Sequence, residues 1–299
     1  MKKHFSIILV LALGLLLGAQ IFAQKTADVG GAKISYELRG RGRTVVLIHG
    51  GLADSRVWDE QFKPLAKRFR VLRYDLRGYG KSDFPQREFS HVDDLYALLK
   101  FLKIEKASLV GLSIGGVIAA DFALAHPEMV DKLIFVSAGL RGDRSPVDAE
   151  TIAVYKAVQA GEREKAIDLW LDNPLFSTVK ADPALAAKTR LMLADNYKYW
   201  AAVEKPVPVR WPKELTIDHL AEIKAPSLVV VGDRDAPHIR SIAETLNQKI
   251  AGARKIVVAG ASHHLNLEKP EEFNRLVTDF LAPKDSPTTK KSAASGKRF

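Results

Sequence analysis

The 299-residue chain contains no cysteine. A scaffold stapled by disulfides is therefore excluded, as is an anchor through a lipidated cysteine, and stability must come from packing alone. Glycine and proline, 20 and 14 residues, are too few for a collagen-like repeat, and no internal repeat is visible. Long apolar runs are scarce as well. One extends from Phe5 to about Ala19, short of the roughly 20 residues that a membrane-spanning helix needs. Also missing is any basic helix or aromatic-interleaved patch that would read nucleic acid. What the chain does have is 47% hydrophobic and 27% charged residues, the balance of a globular protein with a large core rather than a disordered one.

The net charge of +10 is unevenly placed. Lys2 and Lys3 supply +2 of it, and Lys284, Lys290, Lys291, Lys297 and Arg298 less Asp285 supply +4, which leaves +4 for the body. Residues 1–23 have two lysines, the apolar run and a small-residue cleavage site after Ala23, the layout of a signal peptide. The expectation is export to a bacterial periplasm or beyond, with no stable span after cleavage; an uncleaved anchor is the alternative. Residues 284–299, PKDSPTTKKSAASGKRF without its first proline, have almost nothing to bury and are expected to form a basic, flexible tail.

Within the body, apolar runs at Thr44–Ile48, Val71–Tyr74, Ala107–Val110, Lys132–Val136, Ser227–Val231 and Lys255–Val258 suit parallel strands covered on both faces. Ser90–Leu102, Gly115–Ala125, Ile239–Gln248 and the segment from Pro270 to Leu281 carry helical spacing, so the class is α/β. Ala32–Leu38 alternates enough for an antiparallel edge strand. The strand pattern stops after Phe135, and a helical insert fits the gap, with helices over Glu150–Ala160, Glu162–Leu171 and Ala184–Tyr199. The expected division is 24–139 for the first part of the core, 140–224 for the helical cap and 225–283 for the second part. Trp170, Met192, Tyr197, Tyr199 and Trp200 are the aromatic and soft residues that could line a pocket under that cap.

Gly111-Leu112-Ser113-Ile114-Gly115 lies where a strand ends and a small-residue helix begins. In that context G-x-S-x-G reads as a tight turn that holds a serine clear of the sheet, with Gly111, Gly115 and Gly116 letting the backbone pass. A serine hydroxyl needs a base to take its proton and an acid to orient that base. His263 or His264, and Asp233 or Asp235, follow later strands in the order serine, acid, histidine. His49-Gly50-Gly51 follows the first strong strand, so the amides of Gly51 and Ile114 are candidates for an oxyanion hole. His49 reads as structural. His91, His219 and His238 have no evident catalytic setting.

These motifs, in this order, resemble the α/β-hydrolase superfamily across residues 30–282: LIHGG ending at Gly51, Asp75-Leu76-Arg77-Gly78-Tyr79-Gly80-Lys81-Ser82, and GLSIGG at 111–116. The resemblance implies a mostly parallel eight-stranded sheet with helices on both faces and a helical cap after the sixth core strand. It selects Asp235 over Asp233, through Gly232-Asp233-Arg234-Asp235, and His263 over His264, through Glu268, Pro270 and Phe273 downstream. Arg77 would tie loops near the pocket, Trp58 would pack behind the glycine-rich loop, and Asp83 would be a solvated or loop-stabilising acid. Enol-lactonase and small carboxylesterase members look most similar, which implies an ester or lactone as small-molecule substrate and neither metal nor organic cofactor. Dehalogenase-like and epoxide hydrolase-like members carry aspartate where this chain has Ser113. Carbon–carbon bond hydrolases, proline iminopeptidases and perhydrolases share the serine and remain alternatives. So does a ligand-binding or interaction protein that keeps the fold without turnover.

Overall fold

Thr44–Ile48 (TVVLI) is buried at every position, and the two faces of that strand explain why. Val46 and Ile48 enter one core cluster while Val45 and Leu47 enter another, as the two-residue period of a strand covered on both sides requires. In the computed structural model, which describes residues 24–146, 148–201 and 209–283 apart from the side chains of residues 200 and 201, this strand is the centre of an eight-stranded sheet. The strands are β1 (Lys25–Val29), β2 (Ala32–Arg39), β3 (Thr44–Ile48), β4 (Arg70–Tyr74), β5 (Ala107–Leu112), β6 (Val130–Val136), β7 (Ser227–Gly232) and β8 (Arg254–Val258). Their spatial order is β1-β2-β4-β3-β5-β6-β7-β8. The β1–β2 and β2–β4 pairs are antiparallel, and every pair from β3–β4 onward is parallel.

Two expectations about the edges are corrected. Ala32–Leu38 is not the edge strand, because Lys25–Val29 folds back on it through Gly30 and Gly31, both at positive φ (57° and 74°), the conformation a tight hairpin requires. Lys255–Val258 is not a covered strand: it forms the opposite edge, with Val257 half exposed.

Helices α2 (His91–Phe101), α3 (Ile114–Ala125) and α8 (Pro237–Lys249) bury their apolar faces in the first cluster. On the other face lie α1 (Asp59–Leu65), α9 (Leu265–Glu268) and α10 (Pro270–Leu281), with Trp58 and Phe273 in ring contact at 6.1 Å. The connection from β6 to β7 carries α4 (Ala149–Gln159), α5 (Arg163–Leu171), α6 (Pro183–Ala201) and α7 (Thr216–His219). The first three share a satellite core around Val154, Val158, Ile167 and Leu193. By contrast α7 packs into the body, where the Thr216 hydroxyl meets Asp121 and Leu220 and Ile223 are buried in the main core. Residues 1–23 and 284–299, read above as leader and tail, lie outside the described residues. No described helix is long and apolar enough to cross a membrane.

Candidate active site

Parallel strands deliver their loops to one end of the sheet, at the strands' carboxyl ends. His49 to Leu52 follow β3, Ser113 follows β5, Asp233 and Asp235 follow β7, and His263 follows β8. Ser113 has φ 53° and ψ −117°, a backbone region that costs a non-glycine residue about 1–3 kcal/mol and persists only where the surroundings enforce it. Here they do. The Ser113 amide donates to the Val136 carbonyl (3.0 Å), and its own carbonyl accepts from the Gly116 and Gly139 amides (2.9 and 3.0 Å). Space is just as restrictive, since a Cβ on Gly111 would sit 2.2 Å from the Gly115 carbonyl oxygen and one on Gly115 would sit 2.3 Å from that of Ile48. Gly116 lies as closely against Ala138. The turn thus exists in this form because glycine stands at 111, 115 and 116.

The His263 ring donates from Nδ1 to the Asp235 carboxylate at 3.1 and 3.3 Å. The Asp235 side chain is fully buried and also accepts from the Ala236 amide at 2.8 Å. Burial alone would raise its pKa, but the charge and hydrogen bond of His263, together with Ser137 and the Ala236 amide, outweigh burial and hold the carboxyl below its usual range. Asp233 is exposed, and its carboxylate accepts the Gly260 amide at 2.7 Å. It shapes the loop after β8 and stays apart from the imidazole. Glu268 secures the same loop by accepting from the Ser262 amide and hydroxyl (2.6 and 2.7 Å) and from the Thr178 hydroxyl of the cap.

His49 is buried and structural. Its Nε2 accepts from the Leu76 amide (2.9 Å), so Nδ1 carries the proton and donates to the Gly50 carbonyl (2.7 Å). Gly50 presses so closely on the serine that a Cβ there would lie 3.3 Å from Ser113 Cβ. Arg77 does not reach the cavity: it forms a buried pair with Asp94 (2.9 and 2.5 Å) and donates to Gly30, tying the β1–β2 turn to α2. Asp83 accepts from the Lys33 amide at 2.8 Å.

A cavity of about 380 Å³ opens over these loops. Ser113, Ile114, Gly51 and His263 line it together, with Leu52, Val154, Trp170, Leu175, Phe176 and Tyr199 forming much of the apolar wall. Among the expected cap residues, Trp170 and Tyr199 reach it, the latter stacked on Tyr79 at 4.2 Å. Met192 and Tyr197 do not, and helix geometry gives the reason. Met192 lies on the same stripe of α6 as Tyr199 but two turns earlier, about 10 Å along the axis, where it enters the core beneath the cap. Tyr197 points to the opposite side, into the satellite core under Arg163. The Trp200 side chain lies outside the described residues.

His264, the alternative base in the sequence, borders the cavity. Several other cavity residues escaped sequence reasoning. His238 begins α8 beside the cavity. Leu175 and Phe176 descend from the cap, and the Leu175 carbonyl accepts the His263 amide at 3.1 Å. A histidine doublet and an N-P-L-F turn carry no periodic signal, so only the closure of cap on body brings them in. No group of three metal-ligating side chains occurs among the described residues.

Known proteins resemble this chain in sequence as well as in fold. Human serine hydrolase BPHL is 29% identical over 280 residues, covering 88% of this chain and 88% of its own. The 2-hydroxy-6-oxononadienedioate/2-hydroxy-6-oxononatrienedioate hydrolase of Paraburkholderia xenovorans is 31% identical over 272 residues, covering 85% of this chain and 92% of its own. Among solved structures, the enol-lactonase from Burkholderia xenovorans superposes with a TM-score of 0.72 at 26% identity, covering 86% of this chain and 99% of its own. The alpha/beta hydrolase family matches residues 45–276, and the chain belongs to that family.

Proposed function

We propose that the protein is a serine hydrolase that cleaves uncharged small-molecule carboxylic esters or lactones. The observation that carries this reading is the shared cavity: a serine held in a strained strand-to-helix turn and a histidine oriented by a buried carboxylate both line it. Ser113 Oγ attacks the carbonyl carbon while His263 Nε2 takes its proton, and Asp235 stabilises the imidazolium that forms. The amides of Gly51 and Ile114 receive the oxyanion, a contribution typically worth about 3–4 kcal/mol per donor in acyl transfer. His263 then protonates the departing alcohol, and the same residue activates the water that releases the acyl group and restores Ser113.

The uncharged substrate is supported by the lining, which among the described residues contains no lysine, arginine, aspartate or glutamate. Dicarboxylates such as those named for the Paraburkholderia relative would find no lysine or arginine among the described lining residues to receive them. Four carboxylates among the described cap residues that could receive a peptide amine are instead ion-paired: Glu162 with Lys165, Glu164 with Arg190, Asp172 with Lys180, Asp195 with Arg56. Among the alternatives, esters and lactones are therefore favoured over carbon–carbon cleavage and peptidase action.

The test is turnover of a panel of p-nitrophenyl esters and simple lactones by wild type, Ser113→Ala and His263→Ala. The expected result is activity on uncharged substrates that falls by about 10⁴-fold or more in either variant. Equal rates in folded variants and wild type would overturn the proposal.

A further inference from the structure

The mechanism uses one imidazole of the cavity and leaves a second, His264, without a task. Its residue surface is 5% exposed. The ring meets Phe176 edge-on at 4.9 Å and lies 5.9 Å from His263, nearly parallel to it. Nδ1 is sealed from solvent with no hydrogen-bond partner, yet the residue borders the cavity. A neutral imidazole carries one N–H and one bare nitrogen. Orphaned buried N–H groups are rarer than under-satisfied acceptors, so the sealed Nδ1 is the bare one and the proton sits on Nε2, the nitrogen left to the cavity. Burial, reinforced by neighbouring His263, holds the pKa down at about 3, so the ring stays neutral.

We propose that His264 Nε2–H is a specificity-determining donor, which selects esters and lactones bearing a second oxygen acceptor, an ether, keto, amide or hydroxyl oxygen, close to the scissile carbonyl. This rests on the serine-hydrolase reading and narrows its substrate class. An unadorned aliphatic acyl group leaves the donor unsatisfied in a largely apolar wall, and sites that carry a hydrogen-bonding group discriminate against substrates lacking its partner. A neutral donor also suits a lining whose described residues include no lysine, arginine, aspartate or glutamate, because it adds polarity at one point without admitting ions.

Two nearly isosteric esters isolate the effect: p-nitrophenyl methoxyacetate and p-nitrophenyl butyrate, which differ by an ether oxygen in place of a methylene. Their kcat/KM ratio, divided by the ratio of their hydroxide-catalysed rates, is compared in wild type, His264→Phe and His264→Gln. The expected corrected preference for the ether is about 3- to 10-fold in wild type, the range of one neutral hydrogen bond. It falls to about 1 in His264→Phe, whatever the absolute rates, and returns in His264→Gln, whose terminal amide restores a donor. An unchanged preference in a folded His264→Phe protein overturns the proposal. Binding of the corresponding p-nitroanilides to Ser113→Ala, read by quenching of tryptophan emission with Trp170 in the cavity wall, separates the two readings. A preference for the methoxyacetyl anilide that His264→Phe abolishes, without turnover in wild type, keeps the donor and rejects the hydrolase. Equal binding of both anilides in Ser113→Ala and in its His264→Phe derivative rejects the donor.

Discussion

Removing Asn196 should loosen the cap from the body and damage catalysis at a distance. The residue is completely buried in α6. Its side-chain amide donates to Asp54 (2.8 Å) and to the Met192 carbonyl (2.8 Å), while its oxygen accepts the Gly80 amide (2.7 Å). Asp54 also holds Arg56, which reaches Asp195 of the cap. Asn196→Ala deprives the Gly80 amide of its acceptor and the Asp54 carboxylate of one donor, at a cost of about 2–4 kcal/mol in total. For a chain of this size that corresponds to a fall of about 5–10 °C in melting temperature. Tyr199, one turn further along α6, stacks on Tyr79 in the cavity wall, so kcat/KM should fall by about tenfold or more as that wall shifts.

The pH dependence of the same node sharpens the test. Burial raises the Asp54 pKa, but hydrogen bonds from Arg56 and Asn196 outweigh it and hold the carboxyl below 3.8. Its contribution is therefore fully present above the unfolded value and disappears as pH falls through the lower folded value, in the acid range below about 4. Asn196→Asp sets a second carboxylate against Asp54, which raises their shared titration, so this variant should lose more stability at pH 8 than at pH 5. Thermal melts at pH 5 and 8 with parallel ester kinetics measure all of this. A melting temperature for Asn196→Ala within about 1 °C of wild type, together with unchanged kcat/KM, would show that Asn196 does not hold the cap to the body.

The two aspartates after β7 should separate cleanly. Asp235→Asn should lower kcat by about 10³- to 10⁴-fold through loss of imidazole orientation, whereas Asp233→Asn keeps an oxygen for the Gly260 amide and should change kcat by less than about 3-fold; the reverse order would contradict the assignment. Gly115→Ala forces a Cβ to 2.3 Å from the Ile48 carbonyl oxygen and should cost at least about 3 kcal/mol by melting or solubility. Gly161→Ala, at φ 72° with open space around it, should cost about 1 kcal/mol, so equal losses would show that the turn after β5 is not sterically tight.

Much of this was legible in the chain because the physics is local. A strand buried on both faces reads as an apolar run, and the turn at Ser113 announces itself because its glycines have carbonyl oxygens where a side chain would be. The acid was less legible: Asp233 and Asp235 differ by two residues, and only the family pattern favoured the second. The structure supplies the reason, since the Asp235 side chain points inward to His263 while Asp233 caps the Gly260 loop. What the chain concealed depends on tertiary closure. Lys25–Val29 is too short to stand out beside an expected leader. The aromatics of α6 share composition but not direction, so Met192 and Tyr197 sit away from the cavity that Tyr199 enters. His238, His264 and Phe176 meet across three separate elements, a juxtaposition no periodicity encodes.

Activation of Ser113 as a nucleophile is read directly by intact-protein and peptide mass spectrometry after exposure to a fluorophosphonate probe at neutral pH. One adduct is expected, located on Ser113, absent from Ser113→Ala and strongly slowed in His263→Ala. Folded wild-type protein that takes up no probe, or that carries it on a different residue, would contradict activation of Ser113.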